Sequence, residues 1–401
     1  MPKTSLVLLI LVSFFVFAPS VSCQDSATVE YVGSADLDGN QEVNSQDLIL
    51  LQQQWKSAGS ASFDSVLPQN LNLPNSLHAN PRGMDYFYSR ADGFGPLIGV
   101  DYNTLGCKDC HVQNCASCHQ LTNGSYDPKA TCLVQCHSRQ NLEMNSFKLA
   151  DVHNNYGMTC TDCHSTEQLH GDGAVHMSML APGAPTIHCS DCHVVSATDG
   201  VREHQTHLGN IDCSACHLQT VVTCYNCHFD SEIDGHGKIH YGPQRNYILL
   251  LNNDEGKVTA GTYMALYHNQ TDTSFVVFAP FHSHSVMAEG RTCGDCHNNP
   301  YAQTINSGGS VALAQWTGSA IQHATGVIPV AAGKMQLQFL NLTNPDAAPQ
   351  DRVWTPTKTT NDGEQFGFCT PLDSTQLSLL ATPLSKLNKA SNSRIVVKKQ
   401  P

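Results

Sequence analysis

The sequence predicts a mostly irregular fold, with short helices and few strands packed around something other than aliphatic side chains, and a small β-containing segment at the C-terminal end. Three observations lead there. The 401 residues include 18 cysteines and 21 histidines while only 14% are charged, so side chains able to bind a soft metal are enriched at the expense of ordinary surface charge. The hydrophobic share is 40% and mean hydropathy is negative, low for a chain long enough to bury a large core. Cysteine and histidine also recur together in one short pattern along the middle of the chain. A net charge of −13 argues against nucleic acid as a partner.

Residues 1–23 read as an export leader. Lys3 precedes an apolar run from Leu6 to Ala18 broken only by Ser13, and Ser20, Val21 and Ser22 follow before Cys23. The run is too short to cross a bilayer, and no other segment approaches the roughly 20 apolar residues a span needs. The expected mature chain is exported without a transmembrane segment, extracellular or at the cell surface, with the periplasm as the other destination.

Residues 24–74 are read as a calcium loop, its helix and a linker. Oxygen ligands fall at loop positions 1, 3, 5, 9 and 12 as Asp36, Asp38, Asn40, Asn44 and Asp47, with the Glu42 carbonyl at position 7. An apolar helix pattern follows at Leu48, Leu51 and Trp55. The stretch resembles the EF-hand-like loop of dockerin repeats, which implies one Ca²⁺ site. It departs from that pattern in having Gln41 where the EF-hand has glycine, and in lacking the second repeat of cellulosomal dockerins. Ser, Asn and Pro punctuate 57–74, as expected of a linker.

Residues 75–297 carry the repeated pattern. CxxCH occurs seven times, at Cys107-Cys110-His111, Cys115-Cys118-His119, Cys160-Cys163-His164, Cys189-Cys192-His193, Cys213-Cys216-His217, Cys224-Cys227-His228 and Cys293-Cys296-His297. CxxxCH occurs once, at Cys132-Cys136-His137. Composition alone predicts about 0.04 such motifs in a chain of this length. Two cysteines three apart can each form a thioether to one vinyl group of a haem, and the following histidine then reaches the iron as proximal ligand. Zinc ribbons and disulfide frameworks do not require that histidine. Eight covalent haems account for sixteen cysteines and leave Cys23 and Cys369, which an oxidising exterior could join. Eight motifs within 107–297 leave too few residues to wrap each haem separately, so the expected core is a chain of touching haems.

Thirteen histidines remain for the distal side of the irons. Many stand just ahead of a motif: His153 before Cys160, His188 beside Cys189, His204 and His207 before Cys213, His282 and His284 before Cys293. With His170, His236 and His240 these are the nine distal candidates; His78, His268 and His323 read equally well as ordinary histidines. An iron closed by two histidines passes electrons but offers no place for a substrate.

The motifs resemble those of multihaem c-type cytochromes of the octahaem size, similar to exported electron-transfer cytochromes, including those that polymerise into conductive extracellular filaments. The resemblance covers Cys107 to His297. It implies electron transfer to redox partner proteins or extracellular acceptors, with self-association into filaments as one form. The alternative is an octahaem reductase of the nitrite, hydroxylamine or tetrathionate type, which keeps one haem open or lysine-ligated. The sequence contains no CxxCK and has no shortage of distal histidines, so that likeness is one of size.

Residues 298–401 contain no motif and read as a haem-free β-containing segment, with β-like runs at Val327–Val330 and Met335–Leu342. Upstream, Tyr247–Leu251 and Val258–Tyr267 flank Asn252-Asn253-Asp254-Glu255-Gly256, a hairpin signal, and Phe275–Phe278 adds a strand. For the calcium loop, calorimetric titration is expected to show one Ca²⁺ bound by the wild-type chain and none by Asp36→Ala; equal affinity in the two rejects the assignment.

Overall fold

A computed structural model describes residues 72–109, 111, 118, 121–122, 125–126, 132–133 and 136–387. The leader, the calcium loop (Asp36, Asp38, Asn40, Glu42, Asn44, Asp47), Cys110, Cys115, His119 and the basic C-terminal end lie outside the described residues. The chain divides into a body of residues 66–187 and 195–401 and a second unit whose described residues are 188–194. The latter holds a single 3-10 turn, Cys189–Asp191, closed where the Asp191 carboxylate accepts the His188 backbone N–H at 2.7 Å.

The larger body opens with helices α1 (Arg82–Ser89) and α2 (Phe94–Ile98) and a two-residue ladder of β1 (Leu121–Thr122) and β2 (Ser125–Tyr126). Short helices follow: α3 (Ser138–Asn141), α4 (Val152–Asn155), α5 (Thr166–His170), α6 (Arg202–His207) and α7 (Cys213–His217). Then come strands β3 (Val221–His228), β4 (Ile239–Asn253), β5 (Val258–His268) and β6 (Thr273–Pro280), with α8 (Phe229–Ile233) after β3. Helices α9 (Cys293–Cys296) and α10 (Pro300–Asn306) lead into β7 (Val311–Trp316), β8 (Ile321–His323), β9 (Gly326–Pro329), β10 (Met335–Leu337) and β11 (Leu340–Leu342). The last elements are β12 (Trp354–Pro356), β13 (Gly363–Phe366), β14 (Cys369–Thr370) and α11 (Ser374–Ala381).

The expectation of a mostly irregular chain with short helices and few strands is overturned. Seven strands, β3, β4, β5, β6, β9, β13 and β14, form one curled mixed sheet. The long strand β4 explains the curl. Its first half pairs antiparallel with β3 from Ile239 to Tyr247, its second half with β5 from Leu249 to Asn252, and β3 itself lies parallel to β5 at Cys227 and His228. Three strands that touch pairwise cannot lie flat. Strand β9 joins β4 in parallel, β14 adds to its end antiparallel, and β13 lies parallel to β6. Residues on both sides of position 297 thus share one sheet.

The physical reason for the correction is that average composition mixes two unlike regions. Strand β4 carries the run Tyr247-Ile248-Leu249-Leu250-Leu251, buried throughout, and Tyr225, Phe278, Leu313, Ile328, Leu337, Phe339 and Leu340 complete a conventional apolar core. The β4–β5 hairpin closes where the turn residues predict, with Gly256 at φ +75° and its N–H donating to the Asn253 carbonyl at 3.0 Å. Gly261 of β5 is required for packing, since a Cβ there would stand 2.7 Å from the Ala279 carbonyl oxygen. A second cluster, with Phe94 edge-on to Phe229 at 4.9 Å, seats α2 on the sheet. Between Asp151 and Ser214, by contrast, no residue is buried.

Ending the chain at His297 removes β9, β13 and β14 from the sheet. The expected outcome is loss of cooperative unfolding and of the strand signal in circular dichroism; a truncated chain that melts like the full one rejects the shared sheet.

Candidate metal centres

Most described motifs share one local shape. The histidine N–H reaches back to the carbonyl of the first cysteine at 2.9 Å in His137 to Cys132, His164 to Cys160, His193 to Cys189 and His297 to Cys293, and Cys213–His217 is the helix α7 itself. A single turn places both sulfurs and the imidazole beside one another, as a doubly attached planar group requires. Thirteen motif cysteines are free thiols, among them Cys107, Cys118, Cys136, Cys163, Cys216 and Cys296, while Cys192 is disulfide-bonded.

Four motif histidines face a second histidine. Ring centres are 6.2 Å apart in His78–His137, 6.4 Å in His164–His284, 6.4 Å in His204–His217 and 6.2 Å in His207–His297. With a metal–imidazole bond of about 2.0–2.1 Å, and roughly 1.1 Å from ring nitrogen to ring centre, two rings on opposite sides of one metal have centres roughly 6.2–6.4 Å apart. The pairs have the spacing of axial ligands. Among the described residues no group of three or more His, Cys, Asp or Glu side chains is placed to hold a metal ion.

Orientation agrees with spacing. A histidine that binds through Nε2 is held by a hydrogen bond from Nδ1. Nδ1 of His164 lies 3.1 Å from Gln168 Oε1, that of His217 3.1 Å from the Met287 carbonyl, and that of His297 3.0 Å from the Leu379 carbonyl. On the facing side, His204 Nδ1 lies 2.6 Å from Asp199 Oδ2 and His284 Nδ1 3.2 Å from Glu143 Oε2. His111 repeats the pattern, with Nδ1 2.7 Å from the Lys108 carbonyl. Burial pushes His78, His137 and His207 below the ordinary imidazole range, which favours the neutral, ligating form. The hydrogen bond to Glu143 holds His284 above it.

The loop 282–292 ties these pairs to the sheet. The Met287 N–H donates to the His217 carbonyl at 2.7 Å, the Arg291 N–H to the Cys216 carbonyl at 2.9 Å, and Arg291 Nη2 to the carbonyls of Leu218 and Gln219 at 2.6 Å. Two buried carboxylates hold the other side. Glu143, in the π-helical turn Leu142–Ser146, accepts the His284 N–H at 3.0 Å. Asp151 caps α4 through the N–H groups of His153 and Asn154, and its second oxygen accepts the Val286 N–H at 2.8 Å.

The remaining candidates are placed as follows. His153 Nδ1 lies 3.7 Å from Asp151, His170 ends α5, and His188 precedes the Cys189 turn. His236 Nδ1 is 3.2 Å from Asp346, His240 lies opposite Cys227 in the β3–β4 ladder, and His282 Nε2 is 3.8 Å from Asp212. The motif at Cys224 differs from the others: it forms part of strand β3, with Tyr225 and Asn226 buried in the core. His228, only 5% exposed, has Nδ1 2.7 Å from Ser231 Oγ and Nε2 2.9 Å from Asn341 Oδ1, so the structure does not bring it into the turn-and-pair arrangement. Cys369 is a buried free thiol on β14, which burial pushes up to about 12. His78, which the sequence reads equally well as an ordinary histidine, is brought beside His137; it stands far ahead of any motif, and no local signal marks that pairing.

No protein-family model, curated protein or solved structure gives a significant match to this chain. Among the described residues no helix is long and apolar enough to cross a membrane.

Asp151→Ala strands three backbone N–H groups at the junction of α4 and loop 282–292. It is expected to lower stability by about 1–3 kcal/mol in denaturant unfolding. An unchanged midpoint rejects the tie.

Proposed function

We propose that this chain is a multihaem c-type cytochrome, a carrier of electrons whose paired histidines close both faces of each iron they hold. The observation that carries the reading is the set of four facing imidazoles at 6.2–6.4 Å, each joining a motif histidine to one outside the motifs. When bound, haem supplies reversible one-electron chemistry at iron. The residues of the chain do the rest. Paired cysteines would fix each group covalently, and the motif histidines His137, His164, His217 and His297 would hold it together with His78, His284, His204 and His207.

The stretch between Asp151 and Ser214 supports the same reading. It has capped turns, with Ser165 over Gln168 and Asp162 over Thr159, yet none of residues 152–213 is buried. A chain that holds defined turns without a core of side chains suits one wrapped around large apolar groups. In this reading the leader places the protein outside the cytoplasm, where c-type attachment and outward delivery of electrons both belong.

The test is paramagnetic resonance of the oxidised holoprotein together with carbon monoxide added to a reduced aliquot. His78→Ala, His204→Ala, His207→Ala and His284→Ala are each expected to add one high-spin signal and one carbon monoxide adduct, with the attached haem mass retained. A wild-type chain without covalent haem, or variants that stay wholly low-spin, rejects the reading.

A further inference from the structure

The four described ligand pairs differ in what holds their imidazoles. His217 and His297 donate from Nδ1 to neutral backbone carbonyls, and His164 to a neutral amide oxygen. Two of the facing histidines, His204 and His284, donate instead to carboxylates. Asp199, the partner of His204, is an exposed side chain, about 28% accessible, so water screens its charge. Glu143, the partner of His284, is 0% exposed.

The Glu143 carboxylate is also fixed in place. Oε2 accepts both the backbone N–H and Nδ1 of His284, at 3.0 and 3.2 Å, and Oε1 is buried without a hydrogen bond. A buried negative charge acting through one ring is felt far more strongly than the same charge in water. It draws the Nδ1 proton toward itself and leaves the imidazole with more anionic character. A ligand of that kind is more basic at Nε2 and stabilises ferric over ferrous iron.

We infer that Glu143 is a positioning residue that sets the potential of the iron site formed by His164 and His284, making it the most reducing of the four paired sites and grading the chain into unequal steps. The inference rests on the cytochrome reading above. It names a device that the motifs do not carry: Glu143 stands 21 positions before His164 and lies opposite a loop 141 positions downstream.

The test is Glu143→Gln in the full holoprotein, followed by spectroelectrochemical titration with paramagnetic resonance detection. Glutamine keeps an oxygen to accept both His284 hydrogens but removes the charge. The expected result is one site whose oxidised-to-reduced ratio, at its former midpoint, falls at least tenfold, a rise of about 59 mV for one electron. The shifted low-spin signal is expected to be the one that His284→Ala converts to high-spin, and Asp199→Asn is expected to move a different signal by less. Intact mass shows whether the haems are attached, so failure of the cytochrome reading is seen separately from failure of this inference. Unchanged potentials with all haems retained, or a shift in some other signal, overturn it. Should Glu143→Gln not assemble, proton resonance of the reduced wild-type protein serves instead. The His284 Nδ1 proton is expected furthest downfield among the ligand protons, and a position among the others overturns the inference.

Discussion

Pairs of imidazole rings whose centres stand 6.2–6.4 Å apart are the constraint on which the rest of this structure depends. Neither ring can supply that spacing alone, because each belongs to a different element: a turn at 77–79 faces the start of α3, α6 faces α7 and the turn after α9, and loop 282–292 faces the turn at Cys160. The elements must therefore be located by something stiffer than the short helices themselves, none of which exceeds two or three turns. The curled sheet does this. Strand β3 follows α7 directly, β6 leads into loop 282–292, and α11 offers the carbonyl that orients His297.

Polar groups buried at the junction are the second layer of that control. Glu143 and Asp151 sit one above the other along the chain and grip the same loop at His284 and Val286. Such buried carboxylates are costly unless their acceptors are used: Asp151 commits both oxygens to backbone N–H groups, while Glu143 commits Oε2 and leaves Oε1 without a hydrogen bond. Ser283 and Ser285 add hydroxyl donors to the Thr220 carbonyl, so the loop is sewn to the sheet on its other side.

What could be read from the chain was whatever lies within a few residues. The CxxCH spacing is local chemistry, and the hairpin at Asn252–Gly256 and the strands at Phe275 and Val327 carry their own turn and β-branched signals. The parallel pairings of β9 with β4 and β13 with β6 join residues 79 and 88 positions apart, and nothing local announces them. The histidine pairs have the same difficulty. His207 follows His204 by three positions on one helix, yet the two rings face different motifs, and His78 lies ahead of all of them. The identical spelling of Cys224–His228 conceals a strand, because Val221, Val222 and Tyr225 belong to the sheet core and decide the backbone there. The low average hydrophobicity, read as a property of the whole chain, belongs to the stretch before Ser214.

That stretch has a consequence for how such a protein matures. In the proposed cytochrome the sheet can collapse on its own aliphatic residues, whereas 152–213 has no residue in the buried class, so its compaction would wait for covalent loading. A molecule that skips an attachment would carry a finished sheet beside an open arm, accessible to any protease in its compartment. In that reading the division of the chain into a self-sufficient scaffold and a dependent arm would act as quality control, marking incompletely loaded molecules for removal.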